Sequence, residues 1–265
     1  MYLAGIRRAG RRSPGSGFPW SLPLFRDLRA LDLESPVTFL VGENGSGKST
    51  LLEGLALGVR AVAVGRRDLE RDETLAGARA LARGFRFLRP KVPRVAMFLR
   101  AEDVFGFTRR IAQDMADLGD MEAELRRALP DGSYGQSLAT GVVRGQRRAL
   151  AERYGEDPDA RSHGETFLGL LQARLVPRGL YFLDEPETPL SPTRVLALIA
   201  LVMDRTARDC QFVIATHSPI LMACPGAQIL LLEEGRVRRV AYQDLEHVQI
   251  TKAFLDDPES FLRRL

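Results

Sequence analysis

Apolar runs alternate with amphipathic segments along this chain of 265 residues. An apolar, β-branched run at 35–41 ends at Gly42, and strong helix formers resume at 49–53. This order predicts a strand, a glycine-rich turn and a helix. The same order returns further along the chain, where a buried strand is predicted at 180–183 and a helix at 191–207, with proline in its first turn.

Two further apolar patterns complete the second half of the chain. A strand is predicted at 211–215, and a hairpin is predicted from the apolar segments 227–232 and 237–242, which flank Glu234-Gly235. Beyond residue 244, apolar residues at helical spacing predict short helices. Strands that alternate with helices predict an α/β fold with a mostly parallel sheet.

The middle of the chain has a different character. Apolar residues recur every three or four positions from 108 to 129, which predicts an amphipathic helix, and Pro130-Asp131-Gly132 ends it. We therefore expect residues 1–102 and 179–265 to form an α/β core. Residues 103–178 should form a helical lobe inserted into that core.

Composition narrows the possible classes of protein. The longest unbroken apolar run, 195–203, is nine residues long, whereas a membrane-spanning helix needs about 20. Arg7-Arg8 precede any apolar stretch, so we expect no secretory signal. The two cysteines, Cys210 and Cys224, form no CxxC motif, which argues against a disulfide framework and a cysteine-rich zinc site. These features predict a cytoplasmic protein without direct membrane insertion.

Positive charge is concentrated in one segment. The 38 basic residues comprise 35 arginines and three lysines, and residues 60–110 carry 13 basic against six acidic side chains. Such a segment attracts polyanions, and nucleic-acid binding is one interpretation. The other is a solvated basic face without function, produced by an arginine-rich composition. The sequence leaves both open, and nucleic acid stays a candidate partner.

The segment Gly42–Ser49 carries the clearest chemistry. Its sequence, GENGSGKS, matches GxxxxGK[ST] and lies between a predicted strand and a predicted helix. Glycines let successive backbone N–H groups surround a phosphate chain, and the helix N-terminus adds its positive dipole. We expect Lys48 to contact the β- and γ-phosphates of ATP and Ser49 to bind Mg²⁺. The predicted nucleotide-binding residues of this segment are Gly42, Asn44, Gly45, Ser46, Gly47, Lys48, Ser49 and Thr50.

Polar side chains follow two of the predicted strands. Asp184 and Glu185 come directly after the strand at 180–183, at the edge of a parallel sheet where ligands bind. We expect Asp184 to hold Mg²⁺ through water and Glu185 to act as general base, the alternative being that both cap the next helix. His217 follows the strand at 211–215 and should lie at the same edge. An imidazole there predicts a sensor of the γ-phosphate, the alternative being a structural histidine.

The segment Ser162–Glu165 precedes an apolar helical run at 167–175. Serine followed three residues later by glutamate is a capping box, which explains both residues as the start of a helix. That interpretation leaves Gly164 unexplained. A helix N-terminus with a serine hydroxyl also receives anions, and the two interpretations are compatible.

The order of these motifs resembles that of the ATP-binding-cassette ATPases. The motifs correspond to Walker A at 42–49, the signature at 162–165, Walker B at 184–185, the D-loop at 191–192 and the switch histidine at 217. More narrowly, the segments VGENGSGKSTLLE, SHGETFL, GLYFLDEPE and QFVIATHSPIL resemble bacterial AAA-family ATPases related to SMC and RecF-like ATPases. The resemblance covers nearly the whole chain. It implies a P-loop cassette fold with N-terminal antiparallel β elements and an inserted helical lobe.

The resemblance also implies further site residues. Ser162, His163 and Gly164 would contact the γ-phosphate of a nucleotide bound to the other subunit of a head-to-tail homodimer. Glu102 stands where the family has the glutamine of the Q-loop, and a carboxylate there would bind Mg²⁺ or its water. His163 and Glu165 depart from the signature of transporter subunits and favour a soluble ATPase.

Three functions are compatible with the sequence. The leading hypothesis is a soluble cassette-type ATPase that closes as a homodimer on Mg-ATP and acts, with an unknown protein partner, in DNA repair or a defence-like process. The alternatives are the nucleotide-binding subunit of a transporter and a non-catalytic module switched by ATP. Phe18 and Trp20 precede the Walker A strand, where the family stacks the adenine ring, and core packing is the alternative for both.

Overall fold

The computed structural model describes most of the chain, namely residues 1–10, 15, 17–64, 75–154 and 163–263. The chain divides into two compact units. The larger unit comprises Met1–Ala101 and Leu175–Leu265, and the smaller unit comprises Glu102–Arg174.

In the described residues, seven strands form the main sheet of the larger unit. They are β3 (Val37–Val41), β4 (Val62–Ala63), β6 (Val95–Arg100), β7 (Gly179–Asp184), β8 (Gln211–Ala215), β9 (Gln228–Glu233) and β10 (Arg236–Arg239). Their spatial order is β10-β9-β3-β8-β7-β6-β4, and neighbouring strands are parallel except for the hairpin of β9 and β10. The central strands β3, β7 and β8 are buried along their whole length, as expected for a parallel sheet covered on both faces.

Three shorter strands form a second sheet. They are β1 (Gly5–Arg8), β2 (Ala30–Asp32) and β5 (Phe85–Leu88), with β1 antiparallel to both neighbours. The buried Gln211 amide ties the start of the chain to β8, because its Oε1 accepts hydrogen bonds from the backbone N–H groups of Tyr2 and Leu3 at 2.7 and 2.9 Å. The predicted fold class is confirmed, since the larger unit has a mostly parallel sheet and N-terminal antiparallel strands.

The helices of the larger unit pack around these sheets. They are α1 (Pro23–Asp27), α2 (Lys48–Gly58), α3 (Ala76–Gly84), α7 (Pro192–Ala207), α8 (Pro219–Met222), α9 (Glu246–Asp256) and α10 (Pro258–Leu262). Helix α2 is the most central, since Leu51, Leu52 and Leu55 are fully buried. Burying a leucine side chain contributes about 1.5–3 kcal/mol, so this helix is anchored firmly behind the loop that precedes it.

The described residues of the smaller unit form three helices, of which α4 (Ala101–Ala128) starts at the last residue of the larger unit. The others are α5 (Tyr134–Tyr154) and α6 (His163–Arg174). The buried Glu122 carboxylate on α4 accepts hydrogen bonds from Arg144 on α5 at 2.8 and 3.0 Å and from Arg126 at 2.7 Å. The two charge-assisted bonds from Arg144 join α5 to α4, whereas the bond from Arg126 lies within α4.

Two element boundaries differ from the sequence prediction. Helix α4 begins at Ala101 rather than at residue 108, and its first turn carries Glu102 and Asp103, whose charge favours a helix N-terminus. The second strand of the hairpin ends at Arg239 rather than at residue 242, and Tyr242–Asp244 form a 3₁₀ turn. The spacing of apolar residues alone predicts neither the start of α4 nor the end of β10.

Candidate functional site

The loop between β3 and α2 requires glycine at several positions. Gly42, Gly45 and Gly47 have φ angles of +153°, +82° and +98°, which other residues rarely adopt. A Cβ atom at Gly42 would lie 2.3 Å from the carbonyl oxygen of Leu232, and one at Gly47 would lie 3.1 Å from the Phe25 ring. The chain thus follows a path that glycine permits and other residues would strain.

Lys48 opens helix α2 and folds back over the loop. Its Nζ atom donates hydrogen bonds to the carbonyl oxygens of Gly42 at 2.8 Å and Glu43 at 2.9 Å. Burial lowers the pKa of Lys48, while the nearby Glu185, Asp184 and Glu187 carboxylates oppose that change. A buried ammonium inside a glycine loop is suited to bind the phosphates of a nucleotide.

The other predicted residues of the loop have different environments. Asn44 is exposed and Thr50 is half-buried. Among the described residues, the buried Oγ atom of Ser46 has no hydrogen-bond partner. An orphaned buried hydroxyl in this loop is consistent with a phosphate oxygen as its missing partner.

Ser49 and Asp184 meet at the carboxyl edge of the sheet. Ser49 Oγ donates a hydrogen bond to Asp184 Oδ1 at 3.2 Å. Burial raises the pKa of Asp184 to about 6, and the Glu185 carboxylate adds to this rise, whereas Arg100 opposes it. A serine hydroxyl and a carboxylate are the protein ligands that Mg²⁺ takes in P-loop sites, so this pair fits the predicted cation.

Sequence reasoning missed an ion-pair chain beside Asp184. The Arg100 guanidinium at the end of β6 lies between Asp184 and Glu53 of α2 and forms ion pairs with both. The Nε–Oδ2 distance to Asp184 is 3.4 Å, and all three side chains are largely buried. The segment Phe98-Leu99-Arg100 offered a signal, because an arginine rarely ends a buried strand without a partner.

Glu185 and His217 lie next to each other at the ends of the adjacent strands β7 and β8. His217 Nε2 is 3.8 Å from Glu185 Oε1, and both side chains are almost half exposed. Glu185 has a φ angle of +46°, and its N–H donates to the carbonyl oxygen of Ala215 at 2.9 Å. The structure therefore brings together the two residues that were predicted as general base and phosphate sensor.

Glu187 was also missed by sequence reasoning. Its Oε1 atom accepts hydrogen bonds from Thr216 Oγ1 at 2.6 Å and from the backbone N–H groups of His217 at 2.8 Å and Ser218 at 3.2 Å. The only signal in the sequence is a third acidic residue directly after Asp184-Glu185-Pro186. Its contacts depend on how two loops face each other, which local sequence does not specify.

The remaining predicted residues belong to the signature segment and to the first turn of α4. His163 begins α6, Gly164 is buried and Glu102 is exposed in the first turn of α4. Ser162 lies outside the described residues, as do the basic residues Arg66, Arg67 and Arg71 of the charged segment. The roles of the signature residues and of Glu102 stay predictions.

The two aromatic residues before β3 have separate environments. Trp20 stacks on Phe85 with ring centroids 6.2 Å apart, and the Arg8 guanidinium lies over its ring at 5.2 Å. Phe18 is 58% exposed. Trp20 thus packs against the core, which favours the packing interpretation for this residue.

Two family models match segments of the chain. A model described as "AAA domain, putative AbiEii toxin, Type IV TA system" matches residues 166–223, and a model described as "AAA domain" matches residues 23–74. The first range contains Asp184, Glu185 and His217, and the second contains the glycine loop. These matches confirm the predicted resemblance to AAA-family ATPases. A comparison with curated proteins gave no match.

Solved structures similar to this chain belong to cassette and SMC proteins. The structure of cbiO1 from Clostridium perfringens, part of the ABC transporter complex cbiONQ, is 18% identical, with 100% of this chain and 99% of that chain covered and a TM-score of 0.48. An Smc head domain from Pyrococcus furiosus is 11% identical, with 97% and 100% covered and a TM-score of 0.45. The fold assignment here rests on the strand order and the glycine loop of the chain itself.

Membrane-spanning helices were sought separately. Within the part of the chain that the structure describes, none of the helices combines the length and apolar character needed to cross a bilayer.

Proposed function

We propose that this chain is an ATPase that binds Mg-ATP at the loop 42–49 and hydrolyses it. The observation that carries the proposal is the convergence of Lys48, the Ser49–Asp184 pair and the Glu185–His217 pair at one edge of the main sheet. A phosphate-binding loop, a cation site and a residue that orients the attacking water are the parts that ATP hydrolysis requires.

Each of these residues has a defined task. Lys48 and the backbone N–H groups of the loop bind the phosphates, and Ser49 and Asp184 hold Mg²⁺. When bound, Mg-ATP supplies the γ-phosphoryl group that is transferred to water. Glu185 orients the attacking water and accepts its proton. We assign to the His217 imidazole, 3.8 Å from Glu185, the tasks of contacting the phosphate and holding that carboxylate in position.

The experiment that tests the proposal compares steady-state ATP hydrolysis by the wild type and Glu185→Gln. Loss of a general base typically costs about 10²–10⁴-fold in rate, so turnover should fall by that factor while a fluorescent ATP analogue still binds. Glu259→Gln is the matched control, because this exposed residue lies on α10 and forms its ion pair with Arg263 of the same segment. Equal turnover in wild type and Glu185→Gln would mean that another residue activates the water.

The assembly and the cellular process are finer proposals. We infer that two copies close head to tail, so that the segment 162–164 of one copy faces the nucleotide of the other, with support from the motif order. The family model matched at 166–223 has the description "AAA domain, putative AbiEii toxin, Type IV TA system", which supports a defence-like process rather than transport. The transporter subunit and the non-catalytic switch have no specific observation in their favour.

A further inference from the structure

One carboxylate oxygen binds three consecutive residues of the loop after β8. Glu187 Oε1 accepts three hydrogen bonds, one from the Thr216 hydroxyl and one each from the N–H groups of His217 and Ser218. Hydrogen bonds to an ionised acceptor are about twice as strong as neutral ones, and three on one atom fix the path of the backbone. The three donors are consecutive residues, and His217 is the middle one.

The position of Glu187 is itself fixed. Thr188 N–H donates to the Glu185 carbonyl oxygen at 3.1 Å, and Leu190 N–H donates to the Glu187 carbonyl oxygen at 2.8 Å. These bonds form a compact turn directly after Glu185, so the side chain of Glu187 starts from a well-defined place. The turn that carries the predicted base therefore also carries the residue that holds the loop of His217.

The second carboxylate oxygen of Glu187 distinguishes two roles for this residue. Among the described residues, the buried Oε2 atom has no hydrogen-bond partner. The carboxylate does lie close enough to Lys48 to favour its charged form. Glu187 could thus act through its charge on Lys48 or through Oε1 as an acceptor for the loop, and three direct hydrogen bonds support the second role.

We propose that Glu187 is a positioning residue: through Oε1 it holds the loop 216–218 so that the His217 imidazole stays beside Glu185. The proposal rests on the proposed ATPase function, because it assigns Glu187 a task in that same site. The 3.8 Å contact between His217 Nε2 and Glu185 Oε1 then depends on Glu187, whose hydrogen bonds go to the loop backbone and to Thr216 rather than to either of these two side chains.

Two conservative variants separate the acceptor role from the charge role. Glu187→Gln keeps the length of the side chain and one carbonyl acceptor, while its NH₂ group replaces Oε2, which accepts no hydrogen bond in the described structure. Glu187→Asp keeps the charge but is one methylene shorter and so cannot reach the three donors. Glu187→Ala removes both properties and serves as the complete deletion.

Amide hydrogen exchange of the nucleotide-free protein gives a readout that does not depend on catalysis. The N–H group of His217 should exchange at least about 10-fold faster in Glu187→Asp and Glu187→Ala than in the wild type, because Glu187 Oε1 is its acceptor. The N–H group of Ser218 should change less, because it also donates to Thr216 Oγ1 at 3.0 Å. Glu187→Gln should exchange like the wild type. Amides of the hairpin 228–239 provide the internal control and should be unchanged in all variants.

Steady-state kinetics complete the test. A misplacement of about 1 Å can cost about 10²-fold in rate, so Glu187→Asp and Glu187→Ala should lose roughly that factor in kcat. Affinity for a fluorescent ATP analogue should stay within about threefold, because the glycine loop is untouched. Glu187→Gln should retain most of the wild-type kcat.

The outcomes distinguish this inference from the proposed function. A wild-type protein that does not hydrolyse ATP would overturn both. If the wild type is active, an active Glu187→Asp with an inactive Glu187→Gln would overturn the acceptor role, because charge would then be what matters. Unchanged exchange and kcat in Glu187→Asp would overturn it as well, and this pair decides the question even if Glu187→Ala does not fold.

Discussion

Arg100 and Asp184 occupy the same register position on the parallel strands β6 and β7, and Arg100 Nε lies 3.4 Å from Asp184 Oδ2. The guanidinium also forms an ion pair with Glu53 of α2. A cation between the two carboxylates reduces the cost of burying Asp184 without removing it, since the pKa of Asp184 still rises to about 6. Asp184 therefore remains a destabilising charge in the nucleotide-free protein at neutral pH.

This raised pKa predicts a pH dependence of stability. Between its usual value of 3.8 and about 6, the folded protein holds the Asp184 proton more tightly than the unfolded chain does. The stabilisation of the folded state by the protonated Asp184 is therefore complete below pH 3.8. It is lost as the pH rises through about 6. A rise of this size in the pKa corresponds to about 3 kcal/mol.

Urea unfolding of the metal-free protein between pH 4.5 and 7.5 measures this effect. We expect the free energy of unfolding to fall more steeply with rising pH in the wild type than in Asp184→Asn, which cannot titrate. Asp244→Asn is the control, because this exposed residue should leave the slope unchanged. Parallel curves for wild type and Asp184→Asn would contradict the prediction.

The glycine loop predicts a second effect on stability. Gly42→Ala places a Cβ atom 2.3 Å from the Leu232 carbonyl oxygen at a φ angle of +153°. Overpacking of this kind costs about 1–3 kcal/mol, and the strained φ angle adds to that cost. Gly141→Ala on α5 is the control, since nothing lies within 4 Å and a helical glycine gains about 0.5–1 kcal/mol on change to alanine. Thermal unfolding checks this difference: the melting temperature should fall in Gly42→Ala and should rise in Gly141→Ala.

Lys48 carries the third prediction. Lys48→Ala should abolish binding of a fluorescent ATP analogue, because it removes the charge that neutralises the β- and γ-phosphates. Lys252→Ala is the matched control, since this lysine is exposed on α9. Wild-type affinity in Lys48→Ala would show that the nucleotide binds elsewhere.

Elements with strong local signals were predicted well. Strand β7, strand β8 and helix α7 lie at the predicted positions, because an apolar run bounded by a turn or a proline determines each locally. The short strand β4 has only two residues, and it forms because β6 offers a parallel edge. No window of the sequence carries that information.

The residues of the candidate site also divide into those that the sequence predicts and those that it does not. The glycine loop, Asp184, Glu185 and His217 could be chosen from sequence because each follows a strand that ends at one edge of the sheet. Arg100 and Glu187 could not be chosen from the sequence. Their partners lie far away in sequence, and the contacts depend on strand register and loop geometry. The sequence therefore predicted the residues with a direct chemical role, but not the residues that hold them in position.

The fourth prediction concerns assembly and follows from the proposed head-to-tail dimer. An interface that needs ATP as its central contact should be weak without nucleotide and should tighten when hydrolysis is blocked. Size-exclusion chromatography with light scattering should show a monomer for the nucleotide-free protein and a dimer for Glu185→Gln with Mg-ATP. Adding Ser162→Arg should restore the monomer by placing bulk before α6, whereas Ser137→Arg on the exposed face of α5 should not. A nucleotide-free dimer that Ser162→Arg leaves intact would refute the proposed assembly, because its contacts would then depend on neither ATP nor the signature segment.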